Sequence, residues 1–273
     1  MISGGSAAQL ARSAAAIGHF RLAWEHPGGS EPMAFGPRPD VQARSWAAHA
    51  CWLIGRPDDA QSPSEEAIEL ARSIGRPFSL VVALAFASIS HQLDGDRSAL
   101  LRTATELRDL IDRYAFPYFG EWGAITAGWG RGGGEGLAEA LQGVNNLKAK
   151  GAFLRMPYWL SLVADLYRQA GRPEAARGTL DAALAGGQAR SEVWWLPEVL
   201  RMRATYDAPG PAAARLRSAA QLARDHGSVA LLQRCEADLI ASAGTGSPTF
   251  RSSERFRNAV VPSLGPSSPN QPE

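Results

Sequence analysis

The sequence predicts an all-α protein of about five helical hairpins, stacked side by side into a right-handed superhelix. Three observations point there. Alternating β-branched runs are nearly absent; Ala, Leu and Arg dominate, and apolar residues recur at three- and four-residue steps. Short Gly/Pro turns separate the helical stretches, glycine suiting a left-handed helix end and proline the first turn of the next helix. Small residues also return at a nearly fixed distance, which is the mark of a repeat architecture.

The elements follow in order. Residues 1–37 read as a shortened helical repeat or cap, 38–243 as the repeat domain and 244–273 as a Ser/Pro-rich tail unable to bury enough apolar surface to order itself. The first hairpin turns at Gly55-Arg56-Pro57. Its second helix sets Ala60, Ala67, Leu70, Ala71 and Ile74 on one face, with Glu65, Glu66, Glu69 and Arg72 filling much of the other. The second hairpin opens at Arg76-Pro77-Phe78 and turns at Leu93-Asp94-Gly95-Asp96. The third opens at Phe116-Pro117-Tyr118, and its glycine-rich run Gly130 to Gly136 reads as a flexible inter-helix loop. The fourth opens at Met156-Pro157-Tyr158 and turns at Gly171-Arg172-Pro173; the fifth opens at Trp194-Trp195-Leu196-Pro197, with Ala208 where a glycine is expected.

Aligning these turns places Ala60, Leu100, Ala138, Ala176 and Ala213 in equivalent positions, at steps of 40, 38, 38 and 37 residues. Seven residues on come Ala67, Leu107, Asn145, Ala183 and Ala220. Seven residues is two helical turns, so each pair shares a face, and small side chains there admit a close neighbouring helix.

Composition narrows the function. The chain has 273 residues, 45% of them hydrophobic, and a formal net charge of +1. It lacks the basic excess with which nucleic-acid binders neutralise phosphate. Two cysteines make neither a disulfide framework nor a four-ligand zinc site, and read as buried small hydrophobes in a reducing cytoplasm. Arg12 interrupts the N-terminal apolar stretch, no basic start precedes it, and the longest apolar run, Leu80 to Ala87, is far short of a membrane span. The expectation is a soluble cytoplasmic protein.

The unit Ala164, Tyr167, Gly171, Ala176 and Ala183 resembles the tetratricopeptide repeat at all five of its marker positions. Ala48, Cys51, Gly55, Ala60 and Ala67 match nearly as well, and Ser88, His91, Gly95, Leu100 and Leu107 form a degenerate copy. The spacing exceeds the family's ~34 residues, which implies longer helices. The succession from Gly36-Pro37-Arg38-Pro39 through Gly55-Arg56-Pro57 and Gly75-Arg76-Pro77-Phe78 to Ile89-Ser90-His91-Gln92-Leu93 is similar to the C-terminal tetratricopeptide arm of bacterial STAND-type signalling ATPases. In that family a nucleotide-binding domain precedes the arm, often with a class III adenylate cyclase or DNA-binding domain at the N-terminus. The resemblance, over roughly Gly18 to Ile240, implies a non-catalytic scaffold for a protein or peptide partner, including a separate ATPase or cyclase domain.

No catalytic, cofactor or metal residue is assigned. The glycine run lacks the Lys of a P-loop, and no two of the five histidines share a helix at metal-pair spacing. The first helices of tetratricopeptide hairpins line a concave groove, which makes Trp52, Trp129, Trp159 and Trp195 candidate groove residues, with His91, Arg168 and Arg201; Arg155 and Arg203 join the latter two as a candidate rim for an acidic peptide. The alternative for the tryptophans is packing between helices. Rival readings of the whole are ATPase or cyclase chemistry by descent, and a truncated gene fragment.

Overall fold

The computed structural model describes residues 36–245, of which 83% are helical, with no strands among them. The helices are α1 (Pro39–Leu53), α2 (Pro57–Ile74), α3 (Pro77–Asp94), α4 (Arg97–Tyr114), α5 (Pro117–Arg131), α6 (Gly133–Ala149), α7 (Met156–Gln169), α8 (Pro173–Ala189), α9 (Leu196–Ala204), α10 (Pro209–Asp225) and α11 (Val229–Thr245). The expected N-terminal cap and nearly all of the expected tail lie outside the described residues.

Local chemistry explains the boundaries. Proline occupies the first turn of α1, α2, α3, α5, α7, α8, α9 and α10, where its missing N–H costs nothing. The carboxylate of Asp96 caps α4 by accepting from the Ala99 N–H at 2.9 Å. At the inner turns Gly55 and Gly95 take φ of 78° and 74°, a left-handed conformation that reverses the chain.

Two classes of helix alternate. The odd-numbered helices α1 to α9 are buried around most of their circumference, as α3 shows with Val81 to Ser90 continuously buried. The even-numbered helices bury one stripe, as α2 does with Ala60, Ser64, Ala67 and Ala71. Each odd helix touches the next odd one, and α11 touches α1. Among the described residues the odd helices therefore form a closed inner ring of six, with five outer helices packed in the clefts between them. An open solenoid touches only its sequence neighbours. Here Gly55 meets Val229, and the Ser228 hydroxyl donates to the Leu53 carbonyl at 3.5 Å, joining the last hairpin to the first.

The buried stripe of the outer helices corrects the repeat register in two places. Ala138 is exposed and Ala213 only half-buried; Gly136 and Ala212 occupy the buried positions instead. The equivalent series is Ala60, Leu100, Gly136, Ala176 and Ala212, followed seven residues on by Ala67, Leu107, Gly143, Ala183 and Ala219, all buried. The spacing thus alternates between 40 and 36 residues. The glycine run causes the misreading. It is helix and not a flexible loop: α5 runs to Arg131 and α6 starts at Gly133, so Gly132 alone separates them. A glycine at Gly128 and another at Gly136 bring the two backbones into contact.

That contact makes a test. A Cβ on Gly128 would lie 2.5 Å from the Gly136 carbonyl oxygen and 3.0 Å from the Ala140 nitrogen, both backbone atoms that cannot step aside. Gly128→Ala should destabilise the fold by ~1–3 kcal/mol in urea unfolding. Gly178→Ala, in mid-α8 with nothing within 4 Å of the added carbon, should stabilise it by about 0.5–1 kcal/mol.

Candidate functional site

The ring has an interior, and its own side chains fill it. Trp46 and His49 from α1, Phe86 from α3, Trp122 from α5, Tyr158 and Trp159 from α7, and Trp194 and Trp195 before α9 form one aromatic cluster. Successive rings sit 4.8–5.5 Å apart along Tyr158, Trp159, Trp122 and Phe86, mostly tilted or edge-on as ring quadrupoles prefer.

At its hub lies Arg155, the residue before α7, 1% exposed. Its Cζ stands 4.7 Å from the ring centre of Trp46, 5.1 Å from Phe86, 5.2 Å from Trp194 and 5.5 Å from Trp122. Its backbone adopts φ of 62°, and its N–H donates to the Glu192 carboxylate, which also accepts from Trp194 Nε1 at 3.4 Å. Burial, with the Arg155 cation beside it, holds His49 well below the usual imidazole range. His49 is therefore neutral; its Nε2–H donates to the Phe86 carbonyl at 3.0 Å, leaving Nδ1 to accept from Arg155 Nη2 at 3.2 Å. Burial brings Arg155 itself down to about 10.

A second buried cluster locks the closing seam. Glu198 on α9 accepts two bonds from Arg201, each 2.9 Å, and one from Arg234 of α11 at 3.1 Å. Arg201 reaches Asp238 at 2.6 Å, and Arg234 donates to the Leu93 carbonyl at the end of α3 while its Cζ sits 4.8 Å over Trp52 of α1. Burial alone would raise the Glu198 carboxyl; the Arg201 and Arg234 cations overcome it and hold it at about 2. One carboxylate thus gathers four inner helices.

The structure revises the groove residues. Trp52 and Trp195 are buried with ring centres 6.2 Å apart, and Trp195 donates to the Ser161 hydroxyl at 2.9 Å. Trp159 is fully buried. Trp129 is buried and donates to Asp165 at 2.9 Å, the carboxylate that also holds Arg168 at 2.8 Å. Arg201 is buried in the seam, and His91 is half-buried, with desolvation lowering its pKa. No tryptophan among them offers an exposed anchor, because closure of the ring brings opposite walls within van der Waals reach. Of the candidate rim, Arg155 and Arg201 are inside, Arg203 is taken up by Asp181 and Asp207, both at 2.7 Å, and Arg168 bonds to Asp165 with about a third of its side chain exposed. Sequence spacing does not bring Glu192, Glu198, Arg234, Gln92 and Tyr158 into the interior; the i, i+3 spacing of Glu198 and Arg201 is the one local signal. Both cysteines are buried, and burial pushes the Cys235 thiol up to about 12, so it is inert at neutral pH. Among the described residues no group of His, Cys, Asp and Glu could hold a metal, and no helix is long and apolar enough to cross a membrane.

No family model matches the chain. It is 26% identical over 196 residues to an uncharacterized protein of Rhizobium meliloti (strain 1021), a match covering 68% of this chain and 19% of that protein. Among solved structures it is similar to a Signal Transduction ATPase with Numerous Domains (STAND) protein with a tetratricopeptide repeat sensor, from Pyrococcus horikoshii. The TM-score there is 0.48 and the identity 14%, over 83% of this chain and 38% of that one. The chain therefore spans well under half the length of both proteins.

The seam predicts an acid-sensitive fold. The folded-state pKa of Glu198 is depressed from 4.5 to about 2, so its contribution is complete above about pH 4.5 and is lost as pH falls toward 2. Glu198→Gln leaves Arg201 and Arg234 short of their buried counter-charge. It should cost ~3–5 kcal/mol at neutral pH and flatten the decline in stability between about pH 4.5 and 2, read by urea unfolding at several pH values.

Proposed function

We propose that this chain is a non-catalytic protein-interaction module, the regulatory or sensory arm of a cytoplasmic bacterial signalling ATPase or cyclase. Its partner is a folded domain of that machinery and not a peptide laid along a groove. The observation that carries this reading is the self-filled interior: the residues that would line a concave peptide site are packed against one another across the ring. Contact with a partner then falls to the outer helices and the two ends of the ring.

The outer surface suits such contact. Arg72 of α2 bridges to Glu106 of α4 at 2.8 Å, and Arg108 of α4 to Glu139 of α6 at 2.9 Å, so a ladder of alternating charges runs across consecutive outer helices. Exposed ion pairs of this kind contribute ~0–1 kcal/mol to folding, and their charges remain free to be re-paired by a partner, which steers association and sets register. That the match spans only 19% of the Rhizobium relative supports a module working within a larger assembly.

The test is a pull-down from the native host with the full chain as bait, with ATP turnover measured on the purified bait and on the captured complex. Capture of a chain bearing an ATPase or cyclase domain, with turnover confined to the complex, is the expected outcome. Turnover by the purified chain alone would move the function to the enzyme class and sink this reading. The charge ladder gives a finer check: Arg72→Glu with Arg108→Glu should slow association markedly while leaving the melting midpoint nearly unchanged.

A further inference from the structure

Arg155 is a buried cation that Glu192 stabilises through space without pairing with its guanidinium. Among the described residues no carboxylate forms an ion pair with its guanidinium: Glu192 is engaged with the Arg155 backbone N–H and the Trp194 indole. Of the five guanidinium N–H groups, Nη2 reaches His49, whereas Nε and Nη1 are buried with no hydrogen-bond acceptor. Two neighbouring donors share that condition. Trp159 Nε1 has no acceptor, and Trp122 Nε1 lies near the Tyr118 hydroxyl without closing a hydrogen bond. The ring centres of Trp122 and Trp159 are 5.2 Å apart, and Trp122 is one of the four rings around Arg155.

The contrast within the same protein is instructive. Arg201, equally buried, satisfies its charge with Glu198 and Asp238, and Arg234 with Glu198 and a carbonyl. Desolvating an unpaired ion costs several kcal/mol. Aromatic faces return part of that through cation–π attraction, but a ring face supplies no lone pair for the remaining N–H groups. The hub is therefore rich in buried donors and short of acceptors.

We propose that the hub of the ring is a binding site for a small monovalent anion, a halide or a short carboxylate, held by Arg155 with the indole N–H groups of Trp122 and Trp159 as further donors. The anion supplies the missing acceptor for Nε and Nη1, and the surrounding rings limit it to a few atoms. The site is independent of any partner on the outer surface, so its failure would leave the interaction reading standing.

The test is thermal unfolding of the full chain by circular dichroism, in sodium gluconate of fixed ionic strength progressively replaced by chloride or by formate. A ligand bound only by the folded state raises the midpoint with its concentration. A rise of several degrees with chloride, formate or both is expected, with the responding salt identifying the class. Arg155→Met removes the charge and its unfilled donors at similar length. It should melt at least as high as the parent in gluconate and respond to neither salt. Equal responses in parent and variant, or no response in the parent, would overturn the proposal. If the variant does not fold, crystals of the parent grown in bromide decide: an anomalous peak within hydrogen-bond distance of Arg155 Nε or Nη1 supports the site, and a water or an empty position there refutes it.

Discussion

The meeting of α11 with α1 is the constraint on which the rest of the interior depends. Each helical hairpin rotates slightly relative to the one before, and in an open array that rotation leaves a concave wall facing solvent. Here the rotation closes the ring, and opposite walls touch. Tyr158 donates to Gln92 at 2.7 Å across 66 residues of sequence, Arg155 to His49 across 106, and Arg234 to the Leu93 carbonyl across 141. Contacts of this span tie the hairpins into one unit. Loss of the seam would expose the faces of Trp52 and Trp195 together, so the ring has a reason to open all at once or not at all.

Closure also explains the chemistry of the inside. Six helices around a narrow axis need side chains that are large and rigid, and tryptophan and tyrosine meet that need at low entropic cost. Their indole and phenol groups bring polar hydrogen into a dry space, and each must find an acceptor. Trp195 finds Ser161, Trp129 finds Asp165 and Tyr158 finds Gln92. The charged groups divide in the same way. In the seam, two cations share two carboxylates, which holds Glu198 ionised despite its burial. At the hub, one cation is held by ring faces and a single imidazole nitrogen, and burial lowers its proton affinity.

What could be read from the sequence was what short stretches of chain decide for themselves. Gly55, Gly95 and Gly171 sit at turns because a left-handed residue must end a helix there, and at Gly55 and Gly171 a Gly-Arg-Pro triplet states that locally. The small residues of α2 and α8 were legible because three- and four-residue spacing sorts faces without knowledge of neighbours. Ala138 was misplaced because glycine was read as punctuation; Gly128, Gly136 and Gly143 serve instead to let helices touch, a role that depends on the facing helix. The tryptophans could be assigned to inner helices but not to the inside of a closed ring. That step depends on curvature summed over five hairpins, which no window of sequence contains. Arg155 and Arg168 look alike in sequence; one is the hub of the molecule and the other an edge residue held by Asp165.

A filled ring changes what a repeat array can do. An open solenoid presents one long concave wall, and its specificity is written in the residues of its inner helices. In this protein those residues are committed to one another, so the inner helices set shape and, on the function proposed above, contact falls to the outer helices. The outer faces bear charges already matched between consecutive helices, Arg72 with Glu106 and Arg108 with Glu139. A partner that re-pairs these charges feels the spacing of the outer helices, and the inner ring fixes that spacing. Coupling between inside and outside then needs no mobile peptide segment. Any change in how tightly the aromatic hub or the α9–α11 seam closes would alter the pitch of the outer ladder, and with it the register a partner meets.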